Sequence, residues 1–342
     1  MKLLKGAKDG GCDGADLFIA SGYDFYHATT GFQDLDNREE WIKLSFSPDQ
    51  WRALFDYADE IGLILYVTPL DFPSIELARK LKSPMVNINS DDANNPLHLE
   101  RVATLGVPVT MHDINITLAE IESAVHVLRK NGCKDIIILH STQESGEEAT
   151  LYSTANLRVM DTYRAAFSGL GVQIGCVEHT TSDFLIYAVA AREPVLISKH
   201  LLDQHNDAVA DNVISVDIKS LAQMVRKVRY VEASLGKGVN CLVADQQGNI
   251  DVGSAGRRKV LVAAKDLSKG HVIKSGDIIA KRPGHKGGLH PSMVYKLHGA
   301  RVSNDIPKDQ VVDLNMFADY QATDYKFPNL EVYRSSGHQK GA

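Results

Sequence analysis

Short apolar segments alternate with helix-like segments over the first 235 residues, and this alternation constrains the fold more than any other feature. Seven segments are apolar on both faces, as buried parallel strands are. They are ADLFIAS at 15–21, LILYVT at 63–68, MVNIN at 85–89, VPVTMH at 107–112, IIILH at 136–140, VQIGC at 172–176 and VLISK at 195–199. Segments of helical period lie between them, and several of these segments open with a cap residue such as Ser47 or Thr117. Strand-helix alternation at this spacing predicts βαβ units.

Seven such strands in series favour a (β/α)₈ TIM-type barrel over a doubly wound sheet. The doubly wound alternative would be supported by a glycine-rich dinucleotide loop, which the sequence lacks. The count is one strand short of a full barrel, because only 14 residues precede the segment that begins at Ala15. We therefore expect the first barrel strand to be missing or to come from elsewhere.

The alternation stops near Leu235, and the texture of the sequence then changes. We predict a barrel over 1–238, a Gly-, Asp- and Asn-rich linker over 239–258, a small β-rich domain over 259–317 and an extended or disordered tail over 318–342. The small domain is predicted from short β-like pieces such as KVLVAA and HVIKSGDII, which are joined by turns.

Composition excludes several classes of partner. The 342 residues carry a net charge of −6, which disfavours bulk electrostatic binding of nucleic acid or an anionic membrane. No apolar run approaches the ~20 residues of a membrane helix, and the first residues lack the apolar core of a signal peptide. The four cysteines form no CxxC pair, so we expect a cytoplasmic protein.

Histidines follow the last four predicted strands in order. They are His112, His140, His179 and His200. Neighbouring strands lie ~4.8 Å apart, so imidazoles at their ends can converge on one ion, and neutral imidazole suits Zn, Mn, Fe or Co. The sequence therefore predicts a metal site, although a single strand-end histidine is more often a hydrogen-bonded structural residue.

Carboxylates also lie at or just after strand ends, where barrel enzymes carry their functional residues. They are Asp71, Asp91, Glu178 and Asp211. These residues could complete a coordination shell or act as acid and base. Simpler explanations are that Asp71 caps the following helix, and that Asp91 and Asn94 belong to a polar loop. Arg282, in the turn KRPG, is most simply a solvated charge.

Phrases along most of the chain carry a resemblance to a known family. They are TPLD at 68–71, SDDANNPL at 90–97, GVPV at 106–109, ILH at 138–140, NLR at 156–158, GCVEHT at 175–180, SKH at 198–200, RRKVLVAAKDLSKGHVI at 257–273 and GDIIAKRPG at 276–284. In this order and spacing they resemble the sialic acid synthase (N-acetylneuraminate synthase) family. That family joins a (β/α)₈ barrel to a C-terminal antifreeze-like domain, also called SAF.

The resemblance implies a reaction and a metal. Family enzymes condense phosphoenolpyruvate with an N-acetylhexosamine such as N-acetylmannosamine, giving a sialic-type acid and phosphate, and they require Mn²⁺ or Mg²⁺. His179 and His200 would be the metal ligands, with His112 and His140 as further candidates. The residue types alone would also allow Zn²⁺.

The resemblance also implies roles for other residues. Asp211 would hold a metal-bound water or the sugar, and Asn156 would contact the phosphate side of the donor. Arg282 would reach the N-acyl group of the sugar in the partner's barrel, which implies a domain-swapped homodimer. The candidate catalytic residues are thus Asp211, Asp71 and Glu178. The candidate substrate-binding residues are Asp91, Asn94, Asn156, Lys199 and Arg282.

The chain departs from the family pattern mainly on the donor side. Ile19 and Val86 stand where the family has lysines, and His112 stands where it has a phosphate-binding serine. Glu178 replaces an aspartate, and the strand with the family's N-terminal glutamate is not found. A charge-assisted hydrogen bond contributes about 1.5–3 kcal/mol, so losing two lysines predicts much weaker donor binding unless other groups replace them.

Two alternatives to a working synthase remain open. One is a different metal-dependent barrel enzyme that uses the cluster of His112, His140, His179 and His200. The other is a non-catalytic homologue that acts as a partner subunit.

Overall fold

The structure, a computed structural model, describes residues 1–20, 45–143, 152, 154–205, 211–238, 242–243, 259–282, 288–320 and 332–333. The chain divides into two compact units, Met1–Gly236 and Lys237–Ala342. The boundary predicted from the sequence, at residue 238, lies two residues beyond this division.

Parallel strands and helices alternate along the first unit. Its main strands are β1 (Gly14–Ile19), β2 (Ile64–Pro69), β3 (Val86–Ile88), β4 (Val109–His112), β5 (Ile136–Gln143), β6 (Gln173–His179) and β7 (Ile197–Lys199). Two short strands follow, β8 (Leu201–Leu202) and β9 (Val216–Asp217). The described helices are α1 (Lys2–Asp9), α2 (Pro48–Glu60), α3 (Phe72–Leu81), α4 (Pro96–Ala103), α5 (Leu118–Lys130), α6 (Val159–Phe167), α7 (Leu185–Ala190) and α8 (Ile218–Leu235).

The seven main strands form one sheet in the order β1 to β7, and every neighbouring pair is parallel. All seven strands predicted from the sequence are therefore confirmed, and so is their assembly from βαβ units. Within the described ranges no eighth strand joins β1 to β7, while β8 and β9 pair separately with each other. This curled parallel sheet with its helices is the α/β, TIM-like arrangement that the sequence predicts.

Polar side chains start the helices where the sequence places them. Ser47 and Gln50 form a reciprocal capping box at α2, and Thr117 and Glu120 do the same at α5. Asp71 accepts a hydrogen bond of 2.9 Å from the Ser74 amide at the start of α3. Each cap satisfies backbone N–H groups that the first helical turn leaves without partners.

The two faces of the sheet differ in chemistry, because successive strand residues point to opposite sides. On one face, Val67, Val86, Met111 and Ile138 pack with helix residues such as Ile121 in the main apolar core. The opposite, inner face carries polar side chains, among them Asp16, Thr68, Asn87 and His112. The helix-side core fixes the strands, and the strand ends position the candidate site.

The second unit is built from short strands around a separate core. Among its described residues the strands are β10 (Leu242–Val243), β11 (Val260–Ala263), β12 (Ile278–Lys281), β13 (Arg301–Val302), β14 (Phe317–Ala318) and β15 (Val332–Tyr333), and the α-helix is α9 (Val294–Leu297). Leu261, Ile278, Leu297 and Phe317 belong to its apolar core. β11 pairs antiparallel with β12, and β13 pairs antiparallel with β14.

Parts of the predicted linker and tail are ordered as strands. β10 lies in the predicted linker and β15 in the predicted tail, and the two strands pair in parallel. The other linker residues lie outside the described residues, and so does the tail from residue 321 onward except β15. None of the helices in the described part of the chain is long and apolar enough to cross a membrane.

We predict that Asp277 stabilises the second unit. Its buried carboxylate pairs with Lys265 at 2.7 Å and His271 at 2.7 Å, and accepts a bond from the Lys274 amide at 2.8 Å. Burial alone would raise the pKa of Asp277, but these three donors hold it well below its usual range. Asp277→Asn should lower the free energy of unfolding by about 1–3 kcal/mol at pH 7, because a buried polar contact is lost.

The pH dependence has a definite sign. A carboxylate with a depressed pKa stabilises the fold above its ordinary pKa of about 3.9, and this stability is lost as the pH falls below that value. Calorimetry of the full chain should therefore show that Asp277→Asn lowers the free energy of unfolding, relative to the wild type, by more at pH 7 than at pH 3. The exposed Asp313→Asn is the control, and equal effects of the two substitutions would contradict the prediction.

Candidate functional site

Three of the four strand-end histidines meet on the inner face of the sheet. The rings of His179, at the end of β6, and His200, directly after β7, lie 4.9 Å apart between centroids. The ring of His112, at the end of β4, lies 6.2 Å from that of His179. The Asp211 carboxylate lies 3.6 Å from Nδ1 of His200. These residues include the His179–His200 pair that the sequence predicts as ligands.

The environment keeps these imidazoles uncharged at neutral pH. Burial lowers the pKa of His112 to about 4 and, together with the neighbouring His200, His112 and Lys199, lowers the pKa of His179 to about 3. Burial also lowers the pKa of His200, against the attraction of Asp211. Neutral imidazole is the form that binds a metal ion or accepts a proton.

His179 and His200 could bind a metal as a pair of nitrogen ligands. Among the residues that the structure describes, no group of three or more His, Cys, Asp or Glu side chains is arranged to hold an ion. The adjacent neutral rings of His179 and His200 do match the imidazole ligands that first-row metals prefer. The residues present therefore fit a metal whose remaining ligands come from solvent or substrate.

His140 does not join this cluster. It lies on the helix side of β5, where Nδ1 contacts Oδ2 of Asp113 at 2.8 Å and Nε2 contacts the Ala155 carbonyl oxygen at 2.8 Å. Burial alone would lower the pKa of His140, but the Asp113 carboxylate and this carbonyl raise it. Asp113 also accepts bonds from the Tyr163 hydroxyl and the Ser141 amide. His140 is thus the structural, hydrogen-bonded histidine that the sequence analysis left as an alternative.

Glu178 and Lys199 form a buried ion pair at neighbouring strand ends. Glu178 is completely buried, and its carboxylate also accepts a bond of 2.9 Å from the Thr180 amide. The Lys199 ammonium group also donates a hydrogen bond of 2.7 Å to the carbonyl oxygen of Thr180. In this geometry neither predicted site residue faces the histidine cluster, and the pair ties β6 to β7.

The remaining candidates of the first unit lie in the segments that connect strands to helices. The buried Asp71 caps α3, which is the simpler of the two explanations offered for it. Asp91 accepts a bond of 3.2 Å from Asn89, and Asn94 donates one of 3.2 Å to Glu120. Asn156 is exposed and has a positive φ of 40°. In the second unit, Arg282 is exposed.

A chain of polar residues on the inner face escaped the sequence analysis. Thr68 donates to Asp16 at 2.7 Å, Asn87 donates to Thr68 at 2.9 Å, and the same Asn87 amide lies 3.2 Å from Nε2 of His112. Burial raises the pKa of Asp16 to about 7, against the hydrogen bonds from Thr68 and Asn87. A charged residue inside the apolar phrase ADLFIAS was the signal that could have revealed it.

The positions of the two missing lysines lie on the other face. Ile19 and Val86 both belong to the helix-side apolar core. The seven strands contain one lysine, Lys199, and no arginine, and that lysine is paired with Glu178. The strand residues of the inner face therefore offer histidines, hydroxyl and amide groups and the Asp16 carboxyl, and no permanent cation, to an anionic donor.

Comparisons with known proteins assign the class of both units. The model of the NeuB family matches residues 20–240, and that of the SAF domain matches residues 258–318. The first match covers more than half of the chain, so the protein belongs to the NeuB family and carries a C-terminal SAF domain, as the motifs predict.

Similar proteins are known from bacteria and archaea. The chain is 26% identical over 289 residues to an N,N'-diacetyllegionaminic acid synthase of Campylobacter jejuni, covering 84% of this chain and 83% of the relative. It is 29% identical over 311 residues to the uncharacterized protein MJ1065 of Methanocaldococcus jannaschii, covering 91% of this chain and 87% of the relative. A crystal structure of a putative spore coat polysaccharide biosynthesis protein E from Chromobacterium violaceum matches the fold with a TM-score of 0.73, at 19% identity and coverage of 93% and 94%.

We predict that Lys199 is required for stability. Lys199→Met should lower the free energy of unfolding by about 3–5 kcal/mol, because it leaves the buried Glu178 carboxylate without its counter-ion. Urea unfolding of the purified chain measures this loss. The double variant Lys199→Met/Glu178→Gln should recover part of it, since no buried charge then lacks a partner.

The matched control is Lys5→Met, which removes a lysine from the exposed pair with Asp9. It should leave the urea midpoint almost unchanged, because exposed ion pairs contribute little to stability. A Lys199→Met loss as small as that of the control would contradict a stabilising ion pair.

Proposed function

We propose that this protein is a synthase that condenses phosphoenolpyruvate with an N-acetylhexosamine of the N-acetylmannosamine type. The products would be a sialic or related nonulosonic acid and inorganic phosphate. The observation that carries the proposal is the pair of neutral histidines, His179 and His200, beside Asp211 at the strand ends of a NeuB-family chain. Similarity to relatives such as the N,N'-diacetyllegionaminic acid synthase supports this type of reaction.

The proposed site needs a divalent metal, Mn²⁺ or Mg²⁺ by family resemblance, with Zn²⁺ compatible with the ligands. His179 and His200 would hold it, and when bound it would polarise the aldehyde oxygen of the open-chain sugar. Asp211, 3.6 Å from His200, would orient that imidazole and accept a hydrogen bond from water or sugar. The exposed Asn156, Asp91 and Asn94 would contact substrate from the segments that connect strands to helices.

The same proposal includes a cytoplasmic location and a domain-swapped homodimer in which Arg282 of one subunit binds the acceptor sugar of the other. Light scattering of the purified chain tests the dimer. An Arg282→Ala variant that raises the KM for the sugar, and leaves the KM for phosphoenolpyruvate unchanged, would support this role.

The scarcity of cations on the strands favours one competing function. A metal-dependent barrel enzyme that acts without phosphoenolpyruvate would need the histidine pair and no phosphate pocket. The deciding experiment incubates the purified protein with phosphoenolpyruvate, N-acetylmannosamine and Mn²⁺, and measures both phosphate and the nine-carbon acid. Stoichiometric release of the two products supports the synthase.

Tight Mn²⁺ binding without phosphate release, across a series of N-acetylhexosamines, would overturn the synthase in favour of the other metal enzyme. Absence of both metal binding and turnover would instead favour a non-catalytic partner subunit.

We predict that the histidine pair is required for metal binding and turnover. His179→Ala and His200→Ala should each abolish stoichiometric Mn²⁺ binding. Each should lower kcat by at least about 10²-fold, because Lewis-acid stabilisation contributes several kcal/mol. Equilibrium dialysis with elemental analysis and phosphate release measure the two effects.

His126→Ala is the matched control, since His126 is exposed on α5, away from the strand ends. It should behave as the wild type does. Retention of Mn²⁺ by either site variant would contradict the assignment of that histidine as a ligand.

A further inference from the structure

The buried polar chain on the inner face links the edge strand β1 to the histidine cluster. It runs from Asp16 through Thr68 and Asn87 to His112, across four neighbouring strands. Thr68 and Asn87 are completely or almost completely buried, and His112 is 8% exposed. In such surroundings each donor needs an acceptor, because an unmet polar group is costly.

The direction of these hydrogen bonds follows from their donors and acceptors. The Thr110 hydroxyl donates to Oδ1 of Asn87 at 2.7 Å, which turns the Asn87 NH₂ group toward Thr68 and His112. An NH₂ group can only donate, so Nε2 of His112 must accept. A neutral imidazole whose Nε2 accepts carries its hydrogen on Nδ1.

Asp16 determines the direction of the whole chain. Its Oδ2 accepts the hydrogen of the Thr68 hydroxyl, so the Thr68 oxygen is left to accept from Asn87. An ionised carboxylate can only accept, whereas an amide at the same position can donate and so permits the reverse direction. Oδ1 of Asp16 is buried and has no hydrogen-bond partner among the described residues, so the hydrogen bond of Oδ2 with Thr68 is the link between this carboxylate and the rest of the chain of hydrogen bonds.

We propose that Asp16 is a positioning residue that acts through Thr68 and Asn87 to fix His112 in the Nδ1–H tautomer. His112 is then a neutral hydrogen-bond donor beside the His179–His200 pair, and its Nε2 is not available as a metal ligand. This inference rests on the proposed function only where it gives the Nδ1–H group of His112 a role in catalysis. There, the Nδ1–H group would donate to an anionic oxygen of the substrate.

The tautomer can be measured directly, without any turnover. Long-range ¹H–¹⁵N correlation spectra of histidine-labelled protein distinguish Nδ1–H from Nε2–H imidazole, and the signal lost in His112→Asn assigns the residue. The spectra are recorded at pH 8, above the pKa of about 7 to which burial raises Asp16, so that the carboxylate is ionised. The wild type should show His112 as a single Nδ1–H tautomer.

Two variants interrupt the hydrogen-bond chain at different residues. Asp16→Asn and Thr68→Val should each give a mixture with, or a change to, the Nε2–H tautomer. Asp13→Asn, which alters an exposed carboxylate close by in the sequence, should leave the tautomer unchanged. An Nε2–H tautomer in the wild type would overturn the proposal. So would an unchanged Nδ1–H signal in any chain-breaking variant that folds.

Metal affinity gives an independent readout for His112. His112→Asn should bind Mn²⁺ within about twofold of the wild type, whereas loss of a true ligand should cost at least about tenfold. A loss in His112→Asn equal to that in His179→Ala would make His112 a ligand and overturn the inference. Because neither measurement uses phosphoenolpyruvate, an inactive protein with the expected tautomer would contradict the proposed function and leave this inference standing.

Discussion

The alternation of side chains along seven parallel strands decides which polar residues can meet. The helix-covered face needs apolar residues such as Val67, Val86 and Met111, and it supplies most of the burial that holds the first unit together. Polar residues of the strand centres are therefore collected on the inner face. His112, His179 and His200 meet there because each stands at the inner-face position where its strand ends.

Two buried carboxylates near the strand ends lie beside partners. Glu178 faces Lys199, and Asp113 contacts both His140 and Tyr163. Removing one partner of such a pair leaves a charge in surroundings of low polarity, which costs far more than an exposed ion pair contributes. These pairs link neighbouring strands on the helix side of the sheet, so the ends of β4 to β7 keep the spacing that the histidine cluster requires.

Sequence patterns predict the strands and caps of this protein well, because both are local properties. The apolar segments gave all seven strands, and Ser47 and Thr117 marked two helix starts. The face on which a strand-end residue lies depends on register, which is not a local property. His140 and His179 look equivalent in the sequence, yet His140 falls on the helix side and bonds to Asp113, while His179 falls on the inner face.

Strand register also explains why sequence patterns do not reveal the hydrogen-bond chain from Asp16 to His112. Its four residues are far apart in sequence, and only the pairing of β1 to β4 brings them into contact. Their donors and acceptors line the inner face, whereas Ile19 and Val86, which stand where the family has lysines, belong to the helix-side core. A synthase built on this face has to bind its anionic donor through oriented N–H and O–H dipoles, or through cations supplied from outside the strands. Fixed dipoles stabilise an anion only when their direction is set in advance, so the direction of this hydrogen-bond chain has to be imposed from one end. A carboxylate that can only accept is the group that imposes it.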